Sequence, residues 1–312
     1  MILAVVALVG LLVLTLFRRD LRAARGRLSG RSDTLETTAG TLEYAVVGAG
    51  EPGLLLHGAG GGFDQALDFA GALSDRPYRL ITPSRFGYLR SAMPAGATTA
   101  LQADVYVDLL DRLGVQEAFV AGVSAGAWSA LQLALRHPER CRALVLFVPA
   151  DYLPPGVKNY GGVVARALMG SDLVAWAALK LLPLVSNAAT EALLGTRAEL
   201  VRAAEPAERQ RIASLLEHLL PVGPRTRGMR FDVRTAAARS EELPLEEIRC
   251  PVLAVSAEDD AFQTAGRARE IAGRVPHGRA LVYPSGGHAL VGRYPGIARE
   301  VASFLATVPG RG

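Results

Sequence analysis

Ala118-Phe119-Val120-Ala121-Gly122-Val123-Ser124-Ala125-Gly126 is the stretch whose reading decides the fold. Residues 118–121 are a short apolar strand, and residues 125–136 read as a helix rich in Ala and Leu. Between them stands a serine flanked by two glycines. A Gly-x-Ser-x-Gly alone says little, because small residues simply permit tight turns. Placed between strand and helix it describes a strained elbow that exposes a serine hydroxyl. Gly122 and Gly126 are needed there because the turn packs backbone against backbone and leaves no room for side chains. The competing reading of Ser124, a helix N-cap, accounts for the hydroxyl but not for both glycines.

Outward from the elbow, short apolar strands alternate with amphipathic helices. Strands are expected near residues 33–38, 41–47, 53–57, 78–82, 117–122, 141–148, 252–256 and 279–283, and helices near 99–113, 125–136, 264–275 and 296–306. The turn Gly48-Ala49-Gly50-Glu51-Pro52 makes the second and third strands look like a hairpin. The later alternation implies a parallel sheet covered on both faces. It is interrupted over residues 151–245, where apolar and charged helical segments occur without a convincing strand. A helical block inserted between strands of one sheet reads as a cap over their C-terminal edge, where open α/β sheets place ligand sites. The expected division is therefore 1–17 anchor, 18–32 Arg-rich tether, 33–150 core, 151–245 cap and 246–308 the rest of the core.

A serine hydroxyl needs a base to take its proton and a carboxylate to orient that base. His288 lies in Ser285-Gly286-Gly287-His288 after the last strand, where the Gly pair lets the ring turn inward. Asp260 lies in Ala257-Glu258-Asp259-Asp260, just past a buried strand. Ser124, Asp260 and His288 thus form the candidate triad, in the chain order Ser, Asp, His. The remaining histidines have simpler readings: His137 ends a helix, His218 falls within a cap helix, and His277 precedes a turn glycine. His57-Gly58-Ala59-Gly60-Gly61-Gly62 follows a strand, and its backbone can point N–H groups at an oxyanion. The two donors are assigned to Ala59 and to Ala125, the residue after the nucleophile. A phosphate cradle is disfavoured because no Gly-Lys-Ser/Thr ending and no ribose-binding acid accompany the glycines.

The chain has 312 residues, half of them apolar, and a formal charge of +4. Residues 1–31 carry six Arg against one Asp, which leaves the body at −1 and argues against nucleic acid as a partner. Two cysteines, Cys141 and Cys250, exclude a disulfide scaffold and a Cys-based zinc site, and each precedes a strand, as a buried inert thiol would. Residues 2–17 are apolar apart from Gly10 and Thr15 and span about 24 Å as a helix, near the short limit for crossing a bilayer. With no basic stretch before it and no small-residue cleavage site after it, the segment reads as an uncleaved anchor through residues 1–17, not a signal peptide. Arg18, Arg19, Arg22, Arg25 and Arg27 follow it, which places the body on the cytoplasmic side.

Four motifs together carry a resemblance: His57-Gly58 after a strand, Ser84-Arg85-Phe86-Gly87-Tyr88 after the next, Gly122-Val123-Ser124-Ala125-Gly126, and Asp260 followed by Gly287-His288. Over roughly residues 33–308 the chain resembles the α/β-hydrolase fold superfamily. The resemblance implies a mostly parallel eight-stranded sheet with helices on both faces, a helical cap, no metal and no cofactor. It also implies that the acid stands three residues after the small residue closing its strand, so Ala257 points to Asp260 over Asp259. Adjacent residues leaving a strand point opposite ways, and Asp259 is expected to be solvated. This sequence departs from the family at Pro83-Ser84-Arg85-Phe86, where an Asp is common. A serine at the elbow resembles esterases, lipases and C–C bond hydrolases. The expected activity is hydrolysis of a small-molecule ester, with a lipophilic acyl group suggested by the apolar segment 172–182. C–C bond hydrolysis with the same triad, and a receptor or scaffold that keeps the fold without the reaction, remain open.

Overall fold

The computed structural model describes residues 1–73, 75–152, 169–238 and 243–308. Parts of the expected 151–245 block, residues 153–168 and 239–242, lie outside the described residues, as does the side chain of Leu182. Eight strands, β1 (Asp33–Thr37), β2 (Gly40–Val47), β3 (Glu51–Leu56), β4 (Tyr78–Pro83), β5 (Ala118–Val123), β6 (Cys141–Phe147), β7 (Val252–Ala257) and β8 (Gly278–Tyr283), form one sheet in the order β1-β2-β4-β3-β5-β6-β7-β8. Pairing is parallel from β4 through β8, while β1 and β2 are antiparallel additions at one edge. The hairpin reading of the second and third strands fails: β2 pairs with β4, and β4 separates it from β3. The glycines at 48 and 50, both at positive φ, turn the chain past β4 instead of folding it back on itself.

The central strands are apolar without alternation because both faces are covered. Every residue of β5 is buried, whereas edge strand β8 is not. On one face pack α3 (Thr99–Arg112), α4 (Gly126–Arg136) and α10 (Thr264–Arg274), through residues such as Leu109, Ala127 and Ile271. On the other lie α2 (Phe63–Asp68) and α11 (Tyr294–Ala306), through Ala66, Ile297 and Val301. Capping follows local rules: the Thr98 hydroxyl accepts the Leu101 N–H at 3.0 Å and starts α3. Helices α5 (Asp172–Val185), α6 (Asn187–Leu194), α7 (Ala198–Ala203), α8 (Pro206–Glu217) and α9 (Thr226–Ala238) lie in the interval between β6 and β7. No strand occurs there among the described residues.

The N-terminal helix α1 spans Ile2–Leu28, and the segment read as a tether is helical as far as Leu28. Arg, Leu and Ala are strong helix formers, and Arg25 and Arg27 complement the helix C-terminus. Helix α1 is long and apolar enough to cross a membrane and its residues 2–15 are exposed, but its second half is docked. Ala24 packs with Trp176, Leu220 and Val222, and Phe17 meets Trp176 edge-on at 5.7 Å. Asp20 receives the Trp176 indole N–H at 3.1 Å and lies 3.3 Å from the Lys180 ammonium.

Candidate active site

Ser124 sits between β5 and α4 with φ 49°, a left-handed value that a non-glycine residue adopts only when its surroundings impose it. The surroundings are visible. Its N–H donates to Phe147 O at 2.9 Å, and its carbonyl accepts from Ala127 at 2.9 Å and Ala150 at 3.1 Å. A Cβ on Gly126 would stand 2.5 Å from Leu56 O, and one on Gly122 would stand 2.9 Å from the Ala130 methyl. The helix can therefore approach β3 and β5 only because both positions lack side chains. The elbow leaves Ser124 half-buried at the C-terminal edge of the sheet.

Asp260 and His288 reach the same edge from the ends of β7 and β8. The His288 Nδ1 to Asp260 Oδ2 distance is 2.8 Å, with the Asp260 carboxylate fully buried. The other carboxylate oxygen accepts the Phe262 N–H at 2.8 Å, and Thr264 Oγ1 donates to Oδ2 in a very short contact. Phe262 packs edge-on against the His288 ring at 4.8 Å. Asp259 is not solvated as expected: its side chain is only 16% exposed, it accepts the Gly287 N–H at 2.8 Å, and it lies 3.3 Å from Arg197. The two carboxylates do point apart, one to the imidazole and one to the backbone of the loop carrying it. Among the described residues no hydrogen bond reaches Ser124 Oγ or His288 Nε2.

The His57 loop lies directly against the elbow, since a Cβ on Gly58 would come 3.2 Å from Ser124 Cβ. Ala59 is exposed and Ala125 buried, and neither backbone N–H donates to a protein acceptor among the described residues. His57 itself is fully buried and structural. Its Nε2 accepts the Arg85 N–H at 2.9 Å, so the proton is on Nδ1 and goes to Gly58 O at 2.7 Å. Burial drives its pKa well below the ordinary 6.5, and the adjacent Arg85 charge pushes the same way, so the ring is neutral.

Two buried ion pairs brace this loop, and both draw one partner from the helical block. Arg85 forms a bidentate pair with Asp232 of α9 at 2.7 and 2.6 Å and also donates to Gly58 O at 3.2 Å. Burial alone would lower the Arg85 pKa, but the Asp232 carboxylate outweighs this and the net shift is upward. Tyr88 donates to Asp232 at 2.5 Å and accepts the Gly60 N–H at 3.1 Å; burial, then the neighbouring carboxylate, holds its pKa well above the usual range. Arg225 pairs with Asp64 at 2.7 Å and donates to Gly61 O at 2.5 Å. The departure at Ser84-Arg85 thus has a structural role: Arg85 is the sheet-side half of an ion pair to the helical block. Sequence offered no signal for it, because Asp232 is 147 residues away. A cavity of about 520 Å³ lined by Pro138, Ile248 and His277 opens at the opposite edge of the sheet and contains none of these residues.

Solved structures of similar fold include an alpha/beta hydrolase fold protein from Nakamurella multipartita, 28% identical, with TM-score 0.71 over 88% of this chain and 98% of that one. An uncharacterized hydrolase, YcgS of Bacillus subtilis, is 36% identical over 42% of this chain and 46% of its own length. The 2-hydroxymuconate semialdehyde hydrolase of Pseudomonas putida is 39% identical over 32% of this chain and 36% of its own. The matched stretch thus spans less than half the length of these two curated relatives. The sequence model of the alpha/beta hydrolase fold matches residues 54–292, from β3 through the loop that bears His288. With that match and the eight-stranded sheet, this chain belongs to the α/β-hydrolase fold family.

Proposed function

We propose that the chain is a membrane-anchored serine hydrolase that cleaves an ester through an acyl-enzyme. The observation that carries this reading is Ser124 held at φ 49° between β5 and α4, with the unused N–H groups of Ala59 and Ala125 at hand. His288 takes the Ser124 proton as Ser124 Oγ bonds to the acyl carbon, and Asp260 fixes the imidazole tautomer through Nδ1. The two N–H groups receive the negative charge that develops on the carbonyl oxygen. His288 then returns the proton to the leaving alcohol, and water attacks the acyl-enzyme by the same relay in reverse. The anchor is residues 1–17 of α1, with the body on the cytoplasmic side by the distribution of arginines. A lipophilic acyl group is the proposed specificity. Part of the apolar segment 172–182 docks α1, but Leu173, Val174 and Leu181 stay exposed.

A fluorophosphonate probe tests the reading, because only an activated serine reacts. Wild type should label, and Ser124→Ala should neither label nor turn over ester while keeping its fold. A residual rate above about one thousandth of wild type would remove Ser124 from the mechanism. The second reading, C–C bond hydrolysis, is supported by the name of the Pseudomonas putida relative. Turnover of a vinylogous diketone in preference to nitrophenyl esters would select it.

A further inference from the structure

The loop joining α6 to α7 reaches from the helical block into the candidate site and touches both loops that carry the acid and the base. Gly195 O accepts two N–H groups, that of Ala261 at 3.1 Å and that of His288 at 3.0 Å. One carbonyl thus ties the residue after the proposed acid to the proposed base. Thr196 is fully buried; its hydroxyl donates to Leu194 O at 3.1 Å and accepts the Ala289 N–H at 3.0 Å. Arg197, the next residue, lies 3.3 Å from Asp259, whose other oxygen holds the Gly287 N–H.

The fit leaves no slack. A Cβ on Gly195 would come 2.7 Å from His288 Cβ, and one on Gly287 would come 2.5 Å from Thr196 Oγ1. Both glycines are at positive φ, 59° and 60°, so each loop is shaped to let the other approach. Helix α8 adds a second hold: Arg211 donates to Ala289 O at 2.8 Å, and Glu208 accepts the Gly292 N–H at 2.9 Å. The imidazole is positioned through its ring by Asp260, but its backbone is positioned largely from the helical block.

We propose that Thr196 is a positioning residue for His288, so that the helical block sets the aim of the general base as well as covering the site. This rests on the serine-hydrolase reading above. Small errors in the placement of a base cost rate steeply, because proton transfer requires the hydrogen-bonding geometry.

The test compares Thr196→Val, Thr196→Ala and Thr196→Ser in the full-length protein. Val keeps the bulk and removes the acceptor; Ala removes it without adding a methyl, should Val fail to fold; Ser restores it. The charged groups around the loop, Asp259, Asp260, Arg197, Glu208 and Arg211, are untouched. Two quantities are measured: kcat and KM on 4-nitrophenyl butyrate, and the His288 titration followed by its ring carbon in NMR. Val and Ala should lower kcat by about tenfold or more with KM little changed. They should also move the His288 midpoint by about half a pH unit or more. Ser should return both towards wild type. Wild-type kcat and titration in Val or Ala would overturn the proposal, as would equal impairment in Ser. If the wild type itself hydrolyses nothing and fails to label, the functional reading fails, and the titration alone still decides whether Thr196 positions His288.

Discussion

Asp259 and Asp260 are adjacent carboxylates given different work by where the strand end points them. Asp260 is buried on His288 and accepts three hydrogen bonds in all, so in the proposed mechanism converting it to Asn removes the charge that would stabilise an imidazolium and permits the wrong ring tautomer. Asp260→Asn should lower kcat by roughly 10³–10⁴ with the fold retained, as steady-state kinetics would show. Asp259→Asn keeps an acceptor for the Gly287 N–H and loses only an ion pair to Arg197, which is 52% exposed. An exposed pair contributes little, and the expected loss is under about tenfold. Reversal of that order would transfer the orienting role to Asp259.

At the scale of the element, α1 is two structures in one helix. Residues 1–15 are exposed, while Leu16, Phe17 and Ala24 pack on α5 and the chain after α8. Removing residues 1–15 should therefore yield a soluble protein with unchanged melting temperature. Removing 1–31 uncovers Trp176, Leu220 and Val222 and strips their partners Phe17 and Ala24. That cut should cost roughly 2–4 kcal/mol and promote association, since each large apolar side chain is worth about 1.5–3 kcal/mol when buried. Calorimetry and sedimentation of the two truncations separate the outcomes; equal melting temperatures would mean the docking contributes nothing. In the full-length chain, a C-terminal reporter accessible from outside the cell would reverse the proposed topology.

Across the whole molecule, the sheet and the helical block are joined by charges taken out of water. Arg85 with Asp232 and Arg225 with Asp64 each cross from core to block, and both guanidinium groups are fully buried. Asp232→Ala would leave Arg85 buried and uncompensated, an expected loss of about 3–5 kcal/mol in denaturant titration. His57 adds a pH dependence. Folded, it stays neutral because its pKa lies well below 6.5; unfolded, it takes a proton near 6.5. The unfolded state therefore binds more protons as pH falls through this region. The His57 contribution is complete above about 6.5 and declines below it, so the melting temperature should drop between pH 7.5 and 5.5. Asp68, whose pKa burial raises, acts in the opposite sense.

What the sequence determined by itself was everything carried by local pattern. The period of the apolar residues located all eight strands to within a residue or two, and the Gly-Ser-Gly spacing marked the one place where a strand had to turn sharply into a helix. The positions of Asp260 and His288 at strand ends were readable for the same reason. What only the tertiary structure decided was every pairing between residues distant along the chain. The neighbour of β2 could not be read from the turn after it, because a Gly-rich turn permits a hairpin or a passage around another strand equally well. The partner of Arg85, the docking of α1 through Asp20 and Trp176, and the hold of Thr196 on the His288 loop depend on side chains that meet only once the sheet has set its strand order. Periodicity records which face of an element is apolar, and carries no information about which distant polar group that face will bury.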